Sequence, residues 1–161
     1  QNVSNMTILK QNYALSKRNA ERLILKSGKE GLNVSIARCF SFYGKYLPEN
    51  SHFAYSSFLK SALKGEDIVI NADHEVIRSY MHADDLVDSL IKIALYAEES
   101  CPIYNVGSDL PISIFSLAQN IANEYNVKVI MKPNINFELI DRYVPNTDKL
   151  KVLLNSSFRN Y

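Results

Sequence analysis

"EVIRSYMHADDLVDSLIKIALYAE" fills residues 75–98. It changes period in the middle. Residues 75–82 are short, β-branched and aromatic, the composition of a strand. From residue 83 the apolar positions recur as Leu86, Leu90, Ile93, Ala94 and Ala97, one face of a helix at 3.6 residues per turn. Asp84 and Asp85 fall in the first turn, where the helix dipole favours anions. They read as helix-start residues rather than a paired-carboxylate centre. A strand running straight into an amphipathic helix is the unit of α/β folds.

The same alternation extends both ways. Downstream, "PIYNVG" (102–107) reads as a strand, and 113–125 as a helix with Ser113 at its N-cap. "VKVIMK" (127–132) reads as a strand, "NINFELIDRYVP" as an irregular segment, and 147–154 as a short helix. Upstream, 67–70 and 75–82 read as two strands around the turn-like Asn71-Ala72-Asp73-His74. Residues 51–64 read as a helix ended by Gly65, and 32–40 as a strand. Residues 12–27 read as a helix ended by Gly28 and Gly31, with Tyr13, Lys17, Ala20 and Ile24 on one face and Arg18, Arg22 and Lys26 opposite. The expected class is α/β with parallel pairing in at least part of the sheet.

Composition bounds the function. Of 161 residues 47% are apolar and 22% charged, enough for one domain with a core. A net charge of +1 gives no bulk attraction to nucleic acid or to a membrane surface. No apolar run approaches the roughly 18 residues of a membrane span. Cys39 and Cys101 have no metal-ligand spacing and read as two buried free thiols of a reduced, cytoplasmic protein. His52, His74 and His82 do not cluster at a metal spacing, so no metal site is assigned.

Tyr13 and Lys17 stand one helical turn apart. An ammonium beside a phenol stabilises phenolate, and such a Tyr can move a proton at an alcohol or carbonyl. The same spacing also arises on ordinary helix surfaces, and by itself it leaves both readings open. Lys17 adds one consideration: beside an apolar face its charge needs a partner.

Five stretches together carry a resemblance. They are "YALSKRNAE" (13–21), "RCFSFYGKYLP" (38–48), "EVIRSYMHADDLVDSLI" (75–91), "YNVGSDLPISIFSLAQNIA" (104–122) and "DRYVPNTDKLKVLL" (141–154). In this order they resemble the extended short-chain dehydrogenase/reductases, the NAD-dependent nucleotide-sugar epimerase/dehydratase family. The resemblance implies an α/β fold: the C-terminal part of an NAD(P)-binding Rossmann fold with its small substrate-binding domain interleaved. It implies Tyr13 as acid/base at the sugar carbon, and Lys17 on the nicotinamide ribose and beside Tyr13, so that both also touch the cofactor, NAD or NADP. It implies Arg78 and Arg142 on the diphosphate and nucleotide of a nucleotide-diphosphate sugar, with Asn105 and Ser41 as further substrate contacts. Ser41 stands where the family usually has Asn, Lys45 where it has Pro, and Asn146 where it often has Asp. The implied activity is epimerase or dehydratase chemistry, an isomerase or lyase of polysaccharide biosynthesis acting by hydride transfer. A 4-keto reductase, or a non-catalytic NAD(P)/nucleotide-binding regulator of the same fold, is the alternative. Glu21, where dehydratases tend to have Asp, leans toward epimerase or reductase.

The resemblance also implies a Gly-x-x-Gly-x-x-Gly cradle for the dinucleotide pyrophosphate. The five glycines, at 28, 31, 44, 65 and 107, do not form one. Gln1 in place of Met and the closing "LLNSSFRNY" add to the expectation that 1–161 is one fragment, without the N-terminal dinucleotide-binding half and inactive alone. In this family the Tyr/Lys helix commonly pairs with its twin, so the resemblance also implies a homodimer through helix 12–27.

Overall fold

A computed structural model describes residues 8–47, 53–133 and 135–155. His52 lies outside these residues. Helix α1 spans Ile8–Lys29, followed by strands β1 (Ile36–Cys39) and β2 (Phe42–Tyr43) and helix α2 (Ala54–Leu63). Strands β3 (Ile68–Ile70), β4 (His74–Arg78) and β5 (Met81–His82) lead into α3 (Ala83–Leu95). Then come β6 (Ile103–Val106), β7 (Ile112–Ser113), α4 (Ile114–Tyr125), β8 (Val129–Met131), β9 (Asn136–Tyr143) and α5 (Asp148–Leu154).

The strands pair mostly in parallel, as the alternation predicts: β1 with β6, β2 with β5, β3 with β8 and β4 with β9. Only β4 and β7 are antiparallel partners among the described strands. Ser113 caps α4 by accepting from the Ser116 amide at 3.0 Å. At α3 the cap is His82, whose Nδ1 accepts from the Asp84 amide at 3.2 Å, with Asp84 and Asp85 in the first turn.

Two hydrophobic clusters organise the chain. One gathers Phe58 and Ala62 of α2, Ile68 and Ile70 of β3, Tyr80, and the inner face of α4 around Leu117 and Ile121. The other gathers Met81, Leu86 and Ile93 with Tyr104 and Val106 of β6 and Leu150 and Leu154 of α5. Tyr80 and Met81 are sequence neighbours in different clusters. Successive side chains of extended backbone point opposite ways, so one peptide unit couples the two cores. Removing apolar area from water is the main stabilising term in each.

Four expectations are corrected. The strands at 67–70 and 75–82 do not pair around their turn: β3 lies under α2 and α4 beside β8, while β4 joins β7 and β9. The irregular segment is mostly strand β9, exposed along its whole length, so it carries no burial alternation for a sequence reading to find. Cys101 is buried, but Cys39, at the end of β1, is exposed. Finally, Gly28 is the only buried residue of α1. Tyr13, at 66% exposure, and Lys17 therefore face no apolar layer among the described residues, and Lys17 incurs no burial cost. No helix among the described residues is long and apolar enough to cross a membrane.

Candidate functional site

Three of the four predicted substrate residues, Ser41, Arg78 and Asn105, neighbour one junction. Beyond β1, the Phe40 amide donates to the Val106 carbonyl at 2.8 Å, extending the β1–β6 ladder by one residue. The Phe40 ring stacks on Tyr143 at the end of β9, with centroids 4.6 Å apart. Gly107 sits under this stack: a Cβ there would lie 2.9 Å from the Phe40 Cβ and 3.2 Å from the Pro145 ring. Absence of a side chain at 107 is what lets the ends of β1, β6 and β9 close together.

Around the junction stand three of the six predicted site residues. Ser41 follows Phe40 directly, and its carbonyl accepts from the Met81 amide at 3.1 Å. Asn105 lies opposite Arg38 in the β1–β6 register and donates from Nδ2 to the Asn146 carbonyl at 3.1 Å. Asn146 in turn accepts at Oδ1 from the Asp148 amide, fixing the start of α5. Arg78 ends β4 in register with Tyr143. Its Nη1 donates to the Asp141 carbonyl at 2.8 Å and its Nη2 to the Asp141 carboxylate at 2.6 Å. That hydrogen bond holds the Asp141 carboxyl below the usual carboxylate range, against a smaller opposing effect of burial. Arg78 therefore pairs with Asp141.

Arg142 is placed differently. It is in register with Ile77, one position from the Arg78–Tyr143 pair, and the strand pleat sets it on the opposite face of β9 from Asp141 and Tyr143. The two arginines do not share a sheet face. Asp141 went unnoticed in the sequence because its partner is 63 residues away and its strand shows no periodicity.

Tyr13 and Lys17 lie on α1, with the Lys17 ammonium 5.6 Å from the centroid of the Tyr13 ring. At that range the cation sits against the ring face, and both groups are open to a ligand. The helix is tied to β1 by Glu21, whose two carboxylate oxygens accept from Arg38 Nε at 2.7 Å and Nη2 at 2.6 Å. The hydrogen bond to Arg38 lowers the Glu21 carboxyl below its ordinary value, again with burial opposing.

Two cavities of about 310 and 520 Å³ open elsewhere. The first lies between β3, β4 and the start of α4, near His74, Glu75 and Phe115. The second lies against α2, near Tyr43, Tyr55, Ser56 and Lys60. None of the predicted site residues lines either cavity. No group of three or more metal-ligating side chains occurs among the described residues.

Residues 7–107 match the pattern of the NAD dependent epimerase/dehydratase family. This chain belongs to that family. The match spans α1, β1 with Phe40 and Ser41, and all of β4 to β6; the β9 side of the junction, with Asp141 and Tyr143, lies beyond it. Among curated relatives, the chain is 28% identical over 130 residues to UDP-glucuronic acid decarboxylase 3 of Arabidopsis thaliana, covering 80% of this chain and 36% of that protein. It is 28% identical over 151 residues to UDP-N-acetyl-alpha-D-glucosaminuronate decarboxylase of Bacillus cytotoxicus, covering 89% of this chain and 47% of that one. Among solved structures, MoeE5 in complex with UDP-glucose and NAD superposes with a TM-score of 0.76 over 92% of this chain and 50% of its own, at 21% identity. That likeness shows the Rossmann-type α/β fold of the family's enzymes. The chain spans less than half the length of the two curated relatives.

NAD is the cofactor this family is named for, and the residues present fit one part of it. Tyr13 and Lys17 offer an exposed hydroxyl and an exposed ammonium, side by side, to a ribose. A pyrophosphate cradle is not formed by the glycines: Gly28 is packed 2.6 Å (from a Cβ position) against the Glu99 carbonyl, and Gly31 takes φ +92 in the turn after α1.

Proposed function

We propose that this chain forms the catalytic helix and the nucleotide-sugar face of an NAD-dependent enzyme acting at a carbon of a nucleotide-diphosphate sugar. The observation that carries it is the Phe40–Tyr143 junction, which brings together Ser41 from the link between β1 and β2, Asn105 from β6 and Arg78 from β4. The Arg78 fork suits a diphosphate oxygen, and its present partner Asp141 is the carboxylate that such an anion would displace. Ser41 and Asn105 supply short polar groups for the nucleoside and sugar hydroxyls. Arg142 approaches from the other face of β9.

Tyr13 takes the proton from a sugar hydroxyl as the carbon is oxidised and returns it on reduction. Lys17 stabilises the phenolate and donates to the ribose. NAD, when bound, supplies the hydride acceptor. Both curated relatives described above are by name decarboxylases of UDP-uronic acids. That favours decarboxylation as the overall outcome over the epimerisation suggested by Glu21. The outcome is decided by groups that face the rest of the sugar, whereas Tyr13 and Lys17 serve the hydride step.

Substrate and cofactor divide in this reading: residues 1–161 hold the sugar nucleotide, and the dinucleotide cradle is not among them. Calorimetry on this chain is expected to show UDP binding without micromolar NAD binding. Micromolar NAD affinity would overturn the division, and loss of all UDP affinity would overturn the nucleotide face.

Helix α1 presents Ile8, Leu9, Leu15 and Leu23 to solvent at 48–82% exposure. The reading gives these to a second copy of the helix in a homodimer. Light scattering on the enzyme that contains this chain checks it, with a dimer mass expected and a monomer at high concentration counting against it.

A further inference from the structure

Helix α1 is 22 residues long, and two of its attachments to the body of the molecule define one side of it. One is Gly28, closed against the Glu99 carbonyl, Val34 and Cys101 so tightly that a Cβ would meet them at 2.6, 3.2 and 3.3 Å. The other is the Glu21–Arg38 fork. At 100° per residue, Tyr13, Lys17, Glu21 and Gly28 fall within a sector of about 80°. The two anchors therefore lie on the same side of the helix as the Tyr/Lys pair. They are separated by about 10 Å along its axis, and Tyr13 stands about 12 Å further on. Gly28 holds the helix near one end. The fork, acting at a second height, constrains both the rotation of the helix and the direction in which its Tyr13 end points.

The other end of the fork is placed equally well. Arg38 lies in β1 opposite Asn105, two residues before Phe40 and three before Ser41. It sits on the strand that leads into Ser41 and pairs with the strand that carries Asn105. A guanidinium with two parallel bonds to one carboxylate is directional in a way that a Lys–Glu contact is not. The fork thus ties the helix of the acid/base to the strand of the substrate face with a defined angle.

We propose that Glu21 and Arg38 are positioning residues for the reaction: their ion pair aims the Tyr13/Lys17 edge of α1 at the substrate held around Phe40. This deepens the function proposed above and rests on the reading of Tyr13 as acid/base. Its consequence is a separation of effects. The pair is partly exposed, with the Arg38 side chain at 49% and Glu21 at 27%, so its loss costs little stability. Misplacement of a catalytic group by about 1 Å, in contrast, costs roughly 10²-fold in rate.

The test uses the enzyme that contains this chain, supplied with NAD and a UDP-sugar. Glu21→Gln is expected to lower kcat by roughly 10²-fold with KM changed by less than about twofold. Tm is expected to fall by no more than about 4 °C. Amide exchange across 13–21 is expected to accelerate as the helix loosens. Arg38→Lys keeps the charge and loses the fork, and is expected to reproduce the kcat loss should Glu21→Gln fold poorly. The charge-swapped pair Glu21→Arg with Arg38→Glu is expected to recover most of the rate. A lowered Tm with kcat unchanged would make the pair a plain structural tie and overturn the proposal. A rise in KM alone would overturn it too. Tyr13→Phe, run in parallel, separates the two failures: full activity there removes the acid/base reading and the positioning role with it, whereas an inactive Tyr13→Phe beside a fully active Glu21→Gln removes only the positioning role.

Discussion

Tyr13→Phe lowers turnover of the enzyme that contains this chain by roughly 10²–10⁴-fold, the usual contribution of a positioned general acid or base. That corresponds to about 3–5 kcal/mol of transition-state stabilisation. The substitution removes one oxygen and keeps the ring. Tyr13 is 66% exposed and its ring packs in no core, so stability is expected to stay within the range of ordinary surface changes, about ±0.5 kcal/mol, with Tm nearly unchanged. Helix α1 keeps its attachments at Glu21 and Gly28, and the ring keeps its contact with Lys17. Substrate affinity is expected to hold as well, because Ser41, Arg78 and Asn105, to which the proposed function gives the nucleotide, stand after β1, on β4 and on β6 rather than on α1. A large kcat effect with unchanged Tm and unchanged affinity is the signature of a proton-transferring group. Unchanged turnover would remove Tyr13 from the chemistry.

Arg78→Ala weakens UDP binding by roughly 10–100-fold, the scale of a hydrogen bond to a charged group at about 1.5–3 kcal/mol. In the described structure this guanidinium is held by Asp141 through a backbone carbonyl and a carboxylate oxygen. An incoming diphosphate competes with that carboxylate for the same N–H groups. Asp141→Asn weakens the competitor and keeps the β9 strand, so it is expected to maintain or raise UDP affinity while Arg78→Ala lowers it. Arg78→Lys is expected to recover little, since an ammonium cannot reproduce the fork. A purely structural pair between β4 and β9 gives another pattern: both substitutions lower stability alike and neither changes the titration with UDP. Calorimetry with UDP together with thermal unfolding tells the two apart.

The fold class was legible in the sequence wherever an element buries one face. Helices α3 and α4 show their apolar period, Ser113 shows its cap, and β1, β3, β6 and β8 show as short β-branched runs between turns. Strand β9 was not legible, because both of its faces are exposed and its order comes from backbone bonds to β4. The separation of β3 from β4 was equally hidden: which strand a short apolar run pairs with depends on the helices that cover it, here α2 and α4 over β3. Helix α1 shows the reverse case. Its apolar face is plain in the sequence, yet only Gly28 is buried, since a periodic face states what a helix can cover and not what stands opposite it.

The candidate site divides along the same line. The types and order of its residues, from the Tyr13/Lys17 pair to the Arg78, Asn105 and Arg142 motifs, are properties of the chain, because motif spacing follows local geometry: one helical turn, one strand end, one turn. The sequence by itself also determined the family and the α/β class. Only the tertiary structure decided that Arg78 is engaged by Asp141, that Arg142 lies on the opposite face from Arg78, and that Glu21 grips Arg38. These contacts join residues 17 to 63 positions apart. They depend on strand register and pleat, which packing sets and which no local pattern of residues encodes.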